Sequence, residues 1–325
     1  MLNGKRSRLR FKHKHHSEAT TTGLFRSMSV GGPIGHLLYL STHSENMIID
    51  IHTHIFPDTI RDRRERYFLP EPEFAMLYSS SKSRMVGASE LVAAMDACGV
   101  DKAVVFGFPW KSGETFTRNN DYVMEAVHRY PDRLIGFGCF DPCHPNALQE
   151  AGRCLENGLC GIGELAFYTC GIDADSLARL APVMDLCRTR NLPVLIHTNE
   201  PVGHDYPGKS PNTLRQIYEL VRRFRKNTIV LGHWGGGIFF YNLLKKEVAE
   251  SLTNVYFDTA ASPFLYDNRM YTIATQLVGS EKILFGSDYP LISPSRYLKD
   301  FTQAGLTQTD IENISGRNAA RLLGL

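Results

Sequence analysis

From residue 48 onward, short apolar runs alternate with longer segments whose apolar residues recur at helical spacing. The short runs cover 48–51, 102–108, 134–139, 159–164, 193–197, 228–233, 255–258 and 283–286. Between them, helices are predicted over 89–98, 118–129, 145–157, 175–190, 212–225, 238–250, 267–278 and within 295–323. The segment 175–190 is the clearest, with apolar residues at 177, 180, 183, 184 and 187. Ser89 is the predicted N-cap of the helix that stops at Gly99. The stretch 55–87, with Pro57, Pro70 and Pro72, reads as an irregular loop with short helical pieces.

Eight strands separated by helices predict an α/β fold, a single closed (β/α)₈ barrel of the TIM type. The competing arrangement is an open doubly wound sheet. It would place a glycine-rich phosphate loop after the first strand, where His52-Thr53-His54 stands instead.

Composition changes the picture at one end only. Residues 1–46 hold seven Lys/Arg against two Glu, a balance of +5 in a chain of net charge +2, so residues 47–325 are mildly acidic at −3. The barrel is therefore predicted over 47–325. Residues 1–46 read as a disordered basic extension, or as an upstream start with the working protein beginning at Met47. Their Arg-rich, acid-poor composition also resembles a transit peptide. An acidic body argues against a nucleic-acid partner, and no apolar run is long enough to span a membrane. Seven scattered cysteines, with no CxxC pair, fit reduced thiols in a cytoplasmic protein.

The candidate chemistry lies at the strand ends. His52 and His54 close the first run, Glu164 the fourth, His197 the fifth and His233 the sixth, while Asp288 follows the eighth. All are metal-ligand types, and in a barrel the C-terminal strand ends converge on one mouth. Residues i and i+2 of a strand share a face, so His52 and His54 can reach one ion. Each residue alone has an ordinary structural explanation; together, in strand order, they predict a metal centre. No GxSxG elbow or P-loop competes with this reading.

Ile49-Asp50-Ile51-His52-Thr53-His54 resembles the opening strand of the amidohydrolase superfamily. Gly161-Ile162-Gly163-Glu164, Leu195-Ile196-His197, Leu231-Gly232-His233-Trp234-Gly235-Gly236 and Phe285-Gly286-Ser287-Asp288-Tyr289-Pro290 resemble its later strand motifs. Residues 316–323 are similar to the terminal helix of the amidohydrolase-related branch, which includes aminocarboxymuconate-semialdehyde decarboxylase-like proteins. The resemblance spans 47–325. It implies a divalent metal, with zinc the first expectation, held by His52, His54 and Asp288. His197 would join that ion or hold a second, Glu164 would bridge if there are two, and His233 would act as base or polarise the substrate.

The leading expectation is a metal-dependent hydrolase of a small-molecule amide, ester or lactone. In it Asp288 shuttles the proton and His233 bonds the polarised oxygen. The alternatives are a metal-dependent decarboxylase of an unsaturated carboxylic acid and a non-catalytic metal-binding barrel. A superfamily nuclease is disfavoured by the acidic body. A decarboxylase needs cations for carboxylates, for which Lys209 and Arg118 are the candidates, with solvated surface charge as the plainer reading. The loop 198–212 is expected to cover the mouth, with His204 and Tyr206 near substrate and Trp110 in an apolar wall. A small-molecule substrate and a homo-oligomer complete the expectations.

Overall fold

The computed structural model describes residues 47–169 and 171–325. The expectations for residues 1–46, and for Cys170, lie outside these. Eight strands appear in the predicted order: β1 (Ile49–His54), β2 (Lys102–Phe106), β3 (Leu134–Gly136), β4 (Ile162–Leu165), β5 (Val194–Ile196), β6 (Ile229–Leu231), β7 (Val255–Asp258) and β8 (Ile283–Leu284). Every pairing is parallel, β1 to β3 in one run and β4 to β8 in another.

Two single parallel bridges join the runs into a ring. Gly138 pairs with Ile162, and Thr53 with Tyr289. At the second seam, the Ile51 and His54 amides donate to the Phe285 and Tyr289 carbonyls, and the Asp288 amide donates to the His52 carbonyl. The barrel is closed, so it has no free sheet edge.

Two apolar layers follow from closure. Ile49, Ile51, Val104, Phe106, Phe137, Leu195, Val230 and Leu284 fill the barrel interior. Ala319 is buried with them, and Ala320, Leu322 and Leu323 of the helix Asn318–Leu323 pack against the same cluster. The larger cluster lies between the strands and the surrounding helices.

Helix ends differ from expectation where local hydrogen bonding decides. The helix Ala88–Cys98 has Gly87 at its N-cap, and Glu90 accepts from the Gly87 amide, so Ser89 is not the cap. The helix Gly113–Arg129 starts five residues early, capped by Ser112. The segment predicted as one helix over 238–250 is instead a 3₁₀ stretch, His233–Leu243, followed by the helix Lys246–Ser251. The chain runs through the left-handed region from Trp234 to Gly237, with φ of 62, 62, 61 and 88°. Only glycine adopts that region freely, which explains three in succession. The six described cysteines are free thiols. Among the described residues, no helix is long and apolar enough to cross a membrane.

Candidate metal centre

The strand ends meet at one mouth. β1 and β4 each break register beside a site residue, between Asp50 and Thr53 and between Ile162 and Leu165. Such breaks re-aim side chains. In β1 the break lets Ile51 pack inside the barrel while His52 and His54 both face Glu164 and Asp288.

Each of the four histidines is held by one ring nitrogen. His52 Nδ1 lies 2.8 Å from Asp258 Oδ2, His54 Nδ1 3.0 Å from the Gly107 carbonyl and His233 Nδ1 3.1 Å from the Ala260 carbonyl. His197 Nε2 lies 3.0 Å from the Gly208 carbonyl. A carbonyl or ionised carboxylate only accepts, so each of these nitrogens carries a proton; in His197 the second nitrogen, Nδ1, also meets an acceptor, Glu164 Oε1 at 2.9 Å. The other nitrogen is left to present a lone pair to an ion or, with none bound, to take a second proton.

Those second nitrogens face carboxylates. His52 Nε2 is 3.6 Å from Glu164 Oε2 and 3.8 Å from Asp288 Oδ1. His54 Nε2 is 3.3 Å from Asp288 Oδ1 and 3.8 Å from Glu164 Oε2. On the other Glu164 oxygen, His197 Nδ1 stands at 2.9 Å and His233 Nε2 at 3.4 Å. His52 Nε2 is buried and has no hydrogen-bond partner. Acceptors converging on acceptors in a dry site repel unless a positive charge lies among them. Imidazole nitrogens and carboxylate oxygens suit zinc, manganese and related divalent ions, so the donor set fits such an ion.

With no ion bound, protons on the histidines supply that charge: burial would lower His52, but Glu164 and Asp258 raise it well above its ordinary value. Burial alone would raise the Glu164 carboxyl, but His52 and His197 outweigh it and hold it well below its ordinary value. Asp288 is likewise lowered: burial raises it, and His54, His52 and His233 more than compensate.

Asp258 and Asp50 escaped the sequence reading. Asp258, fully buried at the end of β7, orients His52 and also accepts from the His233 amide at 2.7 Å and the Ala260 amide at 3.0 Å. Its strand-end position was the available signal, the same one that marks Glu164. Asp50 accepts from the His52 amide at 3.1 Å and the Ser287 amide at 2.9 Å, tying β1 to the segment after β8. Burial pushes its carboxyl up to about 7.

The expected substrate contacts fare differently. Trp110 is fully buried in an aromatic cluster, its ring 4.4 Å from that of Phe74 and its indole N–H donating to Asn119 Oδ1. It is core rather than an open wall, because its apolar surface and its one donor are both satisfied inside. Lys209 is spent within its own loop, on the Val202, Gly203 and His204 carbonyls and on Glu200. The Tyr206 hydroxyl donates to Glu200, while His204 is exposed. Arg118 pairs with Glu114 on an exposed helix face. The loop reaches the centre through the Gly208 carbonyl.

The Dictyostelium discoideum protein named 2-amino-3-carboxymuconate-6-semialdehyde decarboxylase is 23% identical over 85% of this chain and 91% of its own length. The fold is shared with 5-carboxyvanillate decarboxylase from Sphingomonas paucimobilis, at a TM-score of 0.67 and 20% identity, over 86% of this chain and 99% of that one. It is shared too with a dihydroxybenzoic acid decarboxylase from a Polaromonas species, solved with manganese and the inhibitor 2-nitroresorcinol. There the TM-score is 0.64 and the identity 19%, over 86% of this chain and 97% of that one. The family model described as amidohydrolase matches residues 49–325; with the closed parallel barrel and its strand-end histidines and carboxylates, this chain belongs to the amidohydrolase family.

Proposed function

We propose that the protein is a metal-dependent decarboxylase of a flat, unsaturated or aromatic carboxylic acid. The observation that carries the metal half is the set of four histidines, each held by one nitrogen so that the other faces Glu164 or Asp288. The choice of decarboxylation over hydrolysis rests on the recorded activities of the relatives, which favour the alternative of the sequence reading over its leading expectation.

In this reading His52, His54, His197 and Asp288 hold the ion, with manganese as apt as zinc. Glu164 offers one oxygen to the His52–His54 pair and the other to the His197–His233 pair, so it would bridge if a second ion binds. A bound divalent ion supplies Lewis acidity toward the substrate's oxygens. Asp288, ionised at neutral pH, takes the proton from a substrate hydroxyl and passes it to the carbon that bears the carboxylate. The carbon–carbon bond then breaks, carbon dioxide leaves, and the electron pair stays in the conjugated system; solvent restores the hydroxyl proton. His233 Nε2, steadied through Ala260, would face the substrate oxygen. Arg84, exposed beside the mouth over the Tyr289 ring at 5.8 Å, is a better-placed cation for a carboxylate than Lys209 or Arg118. On composition alone, we read residues 47–325 as the enzyme and 1–46 as a separate extension.

The test is carbon dioxide release from a panel of hydroxylated aromatic and unsaturated acids by the manganese-loaded chain, with lactones and amides in parallel. We expect decarboxylation, and its loss by at least about a hundredfold in Asp288→Asn. Turnover of a lactone or amide, with every acid untouched, would restore the hydrolase.

A further inference from the structure

An aromatic wall leads from the loop after β1 to the metal centre. Tyr78 packs edge-on to Phe108 at 6.1 Å, Phe108 stacks on Tyr168 at 5.9 Å and 8°, and the Tyr168 ring lies 5.0 Å from that of His197. Both tyrosines are more than nine-tenths buried, at 9% and 8% exposure. Neither hydroxyl has a hydrogen-bond partner among the described residues.

Neither is among the polar atoms sealed from solvent without a partner, so both hydroxyls are open to a ligand that could bond them. A phenol, with an ordinary pKa of about 10, is protonated at neutral pH, so both act as donors. Phe108, 2% exposed, is core like Trp110 and holds the two tyrosines in place, and what stays open of them offers a ligand two O–H donors.

We propose that Tyr78 and Tyr168 determine specificity, donating hydrogen bonds to an oxygen substituent on the ring of the flat acid that the centre processes. The ligand class is a hydroxylated aromatic acid rather than a plain one. A site built to bond a substrate oxygen rejects the analogue that lacks it, because its donors would be left unpaired. This rests on the metal-site reading above.

The experiment uses the full chain loaded with manganese and titrated with gamma-resorcylate, a dihydroxylated benzoate, and with benzoate itself. Tyr78→Phe and Tyr168→Phe remove one oxygen each and keep the stacked rings. We expect the wild type to prefer gamma-resorcylate, and each variant to weaken that acid about five- to tenfold while leaving benzoate and manganese content unchanged. A preference that survives both substitutions overturns the proposal. So does equal loss for both acids, the absence of any preference in the wild type, or failure of both acids to bind. A failed decarboxylase reading looks different: the preference and its loss in the variants persist, and no carbon dioxide is released.

Discussion

Asp258 shows how much one buried carboxylate sets at this centre. Its Oδ2 fixes the His52 tautomer and its Oδ1 holds the His233 amide, where the backbone turns left-handed at φ 52°. In Asp258→Asn, an amide N–H facing His52 would favour the opposite tautomer and turn a proton into the cage. Manganese affinity, measured by competition with a chelator, is expected to fall about 10- to 100-fold. An affinity within twofold of wild type would remove Asp258 from this role. The six strand-end candidates were legible because residue type and strand position coincide. Asp258 carried the same positional signal, but its target is a histidine, and that pairing exists only once the ring closes and leaves β1 and β7 on either side of β8. Tyr78 gave no signal, since nothing in the irregular segment 55–87 says which aromatic turns inward.

Elements place these residues through their ends and their irregularities. The breaks in β1 and β4 flank His52 and Glu164, and neither can be read from an apolar run, because alternation alone sets the predicted face. The helices that hold the strands in place have their own polar joints. Glu150, on the helix Ala147–Glu156, accepts from Asn120 and Thr117 of the helix Gly113–Arg129 and from Arg153. Burial pushes its carboxyl up, but Arg153 and Asn120 outweigh this and hold it below its ordinary 4.5. Its ionised form therefore stabilises the fold above that value, and the contribution is lost as pH falls through the lower folded-state value. Glu150→Gln should cost about 1–2 kcal/mol at pH 7, and the deficit should shrink in melts below about pH 4. A deficit that does not change with pH would mean that packing, not charge, joins these helices.

At the scale of the whole molecule, closure of the barrel and assembly of the centre are one event. The seam between β1 and the segment after β8 includes hydrogen bonds of His52, His54 and Asp288 beside those of Ile51 and Asp50. A cation among the converging acceptors would hold that seam shut, and its removal would leave repulsion across it. Stripping metal with a chelator is expected to lower the melting temperature by several degrees, with recovery on adding manganese. Occupancy at about 100 times the dissociation constant contributes about 2.7 kcal/mol, and each kcal/mol moves the melt of a domain this size by about 2–4 °C. An unchanged melt after proven metal loss would show that the centre and the seam are uncoupled.

The one-dimensional pattern was enough for the barrel, its strand order and the metal-ligand types at its mouth, because burial periodicity and residue chemistry are local properties. It also carried the two possible chemistries but no ground for ranking them, since hydrolysis and decarboxylation draw on the same ligands; the relatives favour the second. Tertiary structure alone decided which nitrogen of each histidine faces the centre, that Trp110 and Lys209 are spent internally, and that Tyr78 and Tyr168 pack on the same Phe108. Those are relations between residues distant in the chain, fixed by loop paths and register breaks that no local preference encodes.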